Sequence, residues 1–100
     1  MKATTALANL EKAVERLQNE RKVNYKMHKG YELIKCALEN KRTIIRPAYY
    51  SGRGRFTTIM NHVGDVHLLL NAANIKFYNY NDAPRGSVTG EVYQLTHIEF

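Results

Sequence analysis

The spacing of apolar residues changes period along the chain, and that change limits the folds open to it. Leu7, Leu10, Val14 and Leu17 recur three, four and three apart, with Glu11, Lys12, Glu15 and Arg16 on the other side. A helix starting at Thr4 or Thr5 therefore carries an apolar stripe. Met27, Tyr31, Ile34 and Leu38 repeat the spacing out of step with the first set, and Gly30 interrupts them. An interior glycine costs about 1 kcal/mol against alanine, so two helices are expected in preference to one rod running from Thr4 to Asn40. Asn40 with Lys41 and Arg42 marks the exit, positive charge being favoured at a helix carboxyl end. A third set, Ile59, Val63, Val66, Leu70 and Ala73, follows Thr57 or Thr58 as its cap and leaves at Asn71 and Asn74.

From Ile75 the pattern alternates and turns aromatic through Phe77, Tyr78 and Tyr80. Turn formers fill residues 81–87, and Val92, Tyr93, Leu95, Thr96 and Ile98 supply a second strand, so this part reads as a hairpin. Thr43, Ile44, Ile45 and Arg46 have β-branched character, and Pro47 argues for an edge position or a strand end. The expected class is α+β: N-terminal helices (one long or two), a third helix, and a small C-terminal antiparallel sheet. With no repeat or linker, residues 1–100 read as a single domain.

A hundred residues build a modest core. The first stripe is narrow and suits a seam with another helix, so a homo-oligomer through the N-terminal helices is expected. No apolar run approaches the roughly 18–20 residues of a membrane span, and the start leads into a charged amphipathic segment in place of a signal peptide core. The expected setting is the cytoplasm, away from membranes. The single Cys36 lies among apolar neighbours and reads as a small buried hydrophobe in a reducing compartment.

The formal charge of +6 is concentrated: residues 20–55 hold ten basic and three acidic side chains, while the remainder is nearly balanced. Such localisation marks an anion-binding surface. Within it, Arg46, Pro47, Ala48, Tyr49, Tyr50, Ser51, Gly52, Arg53, Gly54 and Arg55 join a strand to a glycine loop. Arg46, Arg53 and Arg55 suit phosphate oxygens, and Tyr49 or Tyr50 suits stacking on a base. The pattern is neither a Walker loop nor a dinucleotide fingerprint. A solvated connector would show the same composition. A second cluster, Asn79, Tyr80, Asn81, Asp82, Ala83, Pro84, Arg85 and Gly86, is first of all turn chemistry. It also places Arg85 at a loop tip, with Asn81 and Asp82 as acceptors for a base or ribose.

The run Phe77-Tyr78-Asn79-Tyr80-Asn81-Asp82-Ala83-Pro84-Arg85-Gly86-Ser87-Val88-Thr89-Gly90-Glu91 resembles the Asn-Asp-Ala-Pro-Arg-Gly hairpin of small phage and prophage proteins. The Thoeris anti-defence sponges are one such group. The resemblance covers about fifteen residues and implies an oligomer of N-terminal helices and a small sheet that sequesters a cyclic ADP-ribose-type signal without cleaving it. It also implies action in the cytoplasm of a host cell. No binding residue is carried over from it.

Catalytic patterns are weak. His62 and His67 stand five apart, about 500° of helical rotation, so they do not share a face as metal ligands; no metal, cofactor or catalytic residue is expected. The reading is a non-catalytic binder of a phosphate-bearing small nucleotide. The alternatives are sequence-nonspecific nucleic-acid binding, whose affinity falls with salt, and inhibition of a host protein by a basic face.

Overall fold

The structure, a computed structural model, describes residues 1–51, 57–82 and 92–100. Its first helix, α1 (Ala3–Arg21), buries Ala6, Leu10, Ala13, Val14 and Leu17. Ala6 and Ala13 widen the stripe seen in the leucines and let neighbouring backbones approach. It ends where Lys22 turns into the left-handed region at φ 58° and donates its N–H to Gln18 O. A 3-10 turn (Tyr25–Met27) follows, its entry held by Lys26 N donating to Asn24 Oδ1 at 3.2 Å. The second helix, α2 (Lys29–Glu39), then starts afresh, so the chain has two N-terminal helices. Met27 is 84 % exposed and lies outside the second stripe. Asn40 closes α2 with its Nδ2 donating to Cys36 O at 2.7 Å.

The stripe of α1 packs against α2 and the third helix, α3 (Val63–Ala72), in one core with Ile34, Leu38, Val66, Leu69 and Leu70. The stripe serves the chain's own core: Leu10, Val14 and Leu17 are at most 4 % exposed within the single chain, and Leu7 is partly buried against the same cluster. Gly30 sits where α2 touches α3, so closely that a Cβ there would meet Asp65 and the backbone of Val66. His28 Nδ1 meets Asp65 Oδ2 at 3.1 Å beside this contact. Arg16 Nη2 donates to Ala72 O at 3.0 Å, tying α1 to the carboxyl end of α3. None of the described helices is long and apolar enough to cross a membrane.

Four strands, β1 (Ile44–Ser51), β2 (Thr57–Asn61), β3 (Lys76–Asp82) and β4 (Val92–Glu99), form one antiparallel sheet in the order β2-β1-β4-β3. The α+β class holds, yet half of the sheet precedes α3 in the chain. Thr57, Thr58 and Ile59 belong to β2 and do not cap α3, which begins at Val63 after the His62 cap position. β-branched residue types favour strands, and the pairing with β1 is one that local helix periodicity does not contain. Asn81 and Asp82, read as turn residues, continue β3 and pair with Gln94 and Tyr93. An unbroken ladder outweighs their turn preference.

Pro47 lies inside β1, at a register shift between Ile45 and Ala48. Its carbonyl accepts from His62 N at 2.7 Å, whereas β2 pairs with β1 only from Ala48 onward. The missing N–H therefore faces a side where no ladder partner is due. The helices cover one face of the sheet, where Ile45, Ile75, Phe77 and Ile98 join the core. Thr96, fully buried, donates to Asn79 Oδ1 at 2.8 Å, and His67 of α3 meets the same oxygen at 3.0 Å. An amide oxygen only accepts, so His67 Nε2 is the donor in this arrangement.

A candidate anion groove and an aromatic sheet face

The predicted site residues separate into groups. Tyr49, Tyr50, Asn81 and Asp82 come together at one end of the sheet. Tyr49 and Asp82 both pair with Tyr93, Tyr50 pairs with Val92, and Asn81 pairs with Gln94. Adjacent strands run about 4.8 Å apart, so Tyr49 and Asp82 stand about 10 Å from each other across β4. Ser51, Thr57, Asp82 and Val92, the four strand ends where both hairpins connect, share this end. Arg53, Arg55 and Arg85 lie outside the described residues.

Arg46 lies elsewhere, exposed in the bulged part of β1. It shares with Arg42 the rim of a groove of about 510 Å³ between α2 and the start of β1, floored by Leu33, Ala37 and Ile45. The volume falls within the range of small-ligand sites, roughly 300–1,000 Å³. The position of Arg42 follows from local chemistry. Lys41 takes φ 54°, which turns the chain sharply off α2, and Arg42 N closes the turn on Ala37 O at 2.8 Å.

The charges of α2 and of the arm before it are mostly neutralised. Lys26 pairs with Glu11, Lys29 with Glu32 and Lys35 with Glu39. Arg42 differs, its Nη2 directed at Cys36 Sγ at 3.2 Å, with Asn40 Nδ2 on the same sulfur at 3.6 Å. Sulfur is a weak acceptor, so this contact takes up little of the guanidinium's hydrogen-bonding capacity. Cys36 is exposed and not a buried hydrophobe, which corrects the sequence expectation. It lies two positions from buried Ile34, about 200° around the helix, and so faces outward. A larger depression of about 630 Å³ at the exit of α3 carries Lys76 together with Glu99, whose charges offset each other, and suits an anion less well.

The sheet face away from the helices is aromatic. Tyr78 and Ile44 both oppose His97, one from each neighbouring strand, and Tyr80 follows two positions along β3. The rings of Tyr78 and His97 stack at 4.8 Å and 26°, with Tyr78 Oη 2.8 Å from His97 Nδ1. Tyr78 and Tyr80 lie 6.1 Å apart.

Two further polar links brace α1 to α2 and to the arm before it. Tyr31 donates to Glu11, which also pairs with Lys26 at 3.6 Å. Burial, this hydrogen bond, and the charges of Glu11 and Glu39 push the Tyr31 hydroxyl up to about 12.

Arg42, Tyr78, Tyr80 and His97 were not singled out as binding residues by spacing. Arg42 reads locally as helix-end charge, and the tyrosines read as strand signal. The concentration of basic residues was the signal that could have raised Arg42. These features define a basic two-layer α+β protein with an arginine-rimmed groove and a helix-free sheet face that exposes tyrosines. No family model, curated protein or solved structure matches the chain, so its function is read from its own residues.

Proposed function

We propose that the protein binds a phosphate-bearing nucleotide without transforming it, the phosphate seated between Arg42 and Arg46. The observation that carries this reading is a guanidinium directed at a thiol, a weak acceptor, at the rim of a groove of nucleotide size. A phosphate offers that guanidinium two charged oxygens in parallel, a geometry lysine does not match. The apolar floor supplies a surface for a base or ribose. Sequestration of a small cyclic nucleotide, as the hairpin resemblance implies, is the form in which binding without chemistry has a use. That resemblance also implies an oligomer.

Calorimetric titration with a panel of linear and cyclic nucleotides, inorganic phosphate included, tests this directly. The Arg42→Gln, Arg46→Gln double variant should lose about 10-fold or more in affinity for each charge-assisted bond removed, with its melting temperature nearly unchanged. An Arg53→Gln, Arg55→Gln variant run in parallel reports whether the glycine loop contributes. Unaltered affinity in the first variant rejects the groove as the phosphate site.

A further inference from the structure

The helix-free sheet face borders the groove through Ile44 and Arg42, but its tyrosines do not enter the groove reading. Three of the five large hydrophobic side chains exposed among the described residues, Ile44, Tyr78 and Tyr80, lie on it. Tyr78 is 47 % and Tyr80 39 % exposed, although both sit in the middle of a paired strand. Scattered exposed hydrophobes are ordinary, but a contiguous set marks an interaction surface. The ring of His97 lies against Tyr78, and the hydrogen bond between them fixes both, so one end of the set is preorganised.

Charge and spacing select the partner. Lys41 and Arg42 border Ile44 at one margin, and Lys76 precedes Tyr78 at the other. Glu99, opposite Lys76, is the acidic side chain described on this face. The whole chain carries +6. An aromatic surface between cations suits a polyanion that also presents flat rings. The separation of Tyr78 and Tyr80, 6.1 Å, is near twice the roughly 3.4 Å rise of stacked bases. Two successive bases meet these two rings only when the strand is unstacked and extended.

We infer that the open sheet face binds single-stranded nucleic acid, with successive bases on Tyr78 and Tyr80 and the backbone running toward the cations at the margins. The principle is that of other sheet surfaces whose aromatic side chains stack two or three bases while helices occupy the opposite face. Such a surface has little sequence preference, since every base has a flat face. It discriminates against duplexes, whose bases are already stacked.

The test is fluorescence anisotropy of a short labelled oligothymidylate titrated with the full chain, with the matching duplex as competitor. Quenching of intrinsic tyrosine emission serves as a second readout, because the chain has no tryptophan. The expected result is preference for the single strand, affinity falling with salt, and a loss of about 5- to 150-fold for each ring removed in Tyr78→Ala and Tyr80→Ala. Tyr78→Phe and Tyr80→Phe should retain most of the affinity, which a role for the hydroxyls would not allow. Comparison with the Arg42→Gln, Arg46→Gln variant separates the two proposals. That variant should lose mononucleotide affinity and, because Arg42 also borders the sheet face, part of the oligothymidylate affinity, whereas Tyr78→Ala and Tyr80→Ala, which lie outside the groove, should lose oligothymidylate binding with mononucleotide affinity unchanged. Equal affinity for duplex and single strand, or no effect of the alanine variants, overturns the inference. So does a dimer in sedimentation that the alanine variants dissociate, which would assign the face to a second copy of the chain.

Discussion

Replacing Gly30 and Gly64 by alanine, one at a time, should move stability in opposite directions. Both lie in the first turn of a helix, so their intrinsic preferences are alike. A Cβ at position 30 would stand 2.7 Å from Asp65 Cβ, 3.1 Å from Val66 N and 3.2 Å from Asp65 C. Carbon atoms prefer separations of about 3.5–4.0 Å, so α2 must withdraw from α3 by close to ~1 Å. Two of the three obstructing atoms are backbone and have no rotamer to retreat into. Overpacking of this kind costs about 1–3 kcal/mol, against a helix-propensity gain of at most about 1 kcal/mol. The net loss of about 1–2 kcal/mol corresponds to a fall in melting temperature of about 4–15 °C for a chain of this size.

At Gly64 nothing lies within 4 Å of the added carbon. There the gain is unopposed, about 0.4–1 kcal/mol, or a rise of about 2–8 °C. Thermal unfolding followed by far-ultraviolet circular dichroism gives both values. A Gly30→Ala protein that melts at or above the parent refutes the close approach of α2 and α3.

Alkaline titration should single out Tyr31. Its hydroxyl is held protonated to about 12 against an ordinary 10.0, so the folded state binds the extra proton between these values. The associated stability is complete below pH ~10 and is lost as pH rises through ~12. Tyr31→Phe should flatten that decline, and an unchanged pH profile would count against the Glu11 bond. Cys36 should react with a thiol reagent at full stoichiometry in the native protein, since it is exposed. A nucleotide seated in the groove should slow that reaction, and equal rates with and without saturating ligand would place the ligand elsewhere.

The helices were legible where burial follows local spacing. The α1 and α2 stripes, the break between them, the end of α2 at Asn40 and the hairpin of β3 with β4 all follow from short-range pattern. Thr57, Thr58 and Ile59 misled because Ile59 stands four residues before Val63 and extends the helical period backward. The pairing of β2 with β1 that decides their state is tertiary. Cys36 misled because its neighbours in sequence are apolar while its own direction on the helix is outward. The concentration of basic charge was legible, but not that ion pairs with Glu11, Glu32 and Glu39 take up three of the lysines and leave Arg42 facing a sulfur. The aromatic row escaped notice because it exists only once β4 lies between β1 and β3.

That row also bears on how the chain reaches its final state. The β1–β2 and β3–β4 ladders join near neighbours in the chain, whereas β1 with β4 unites segments about fifty residues apart. Loop-closure entropy makes such a pairing late and slow compared with either hairpin. Ile44 reaches His97 across that central seam alone. A folding chain whose hairpins have formed but not yet zipped together holds the tyrosines without their full surface, so binding through this face should report on completed assembly and not on the amount of strand present.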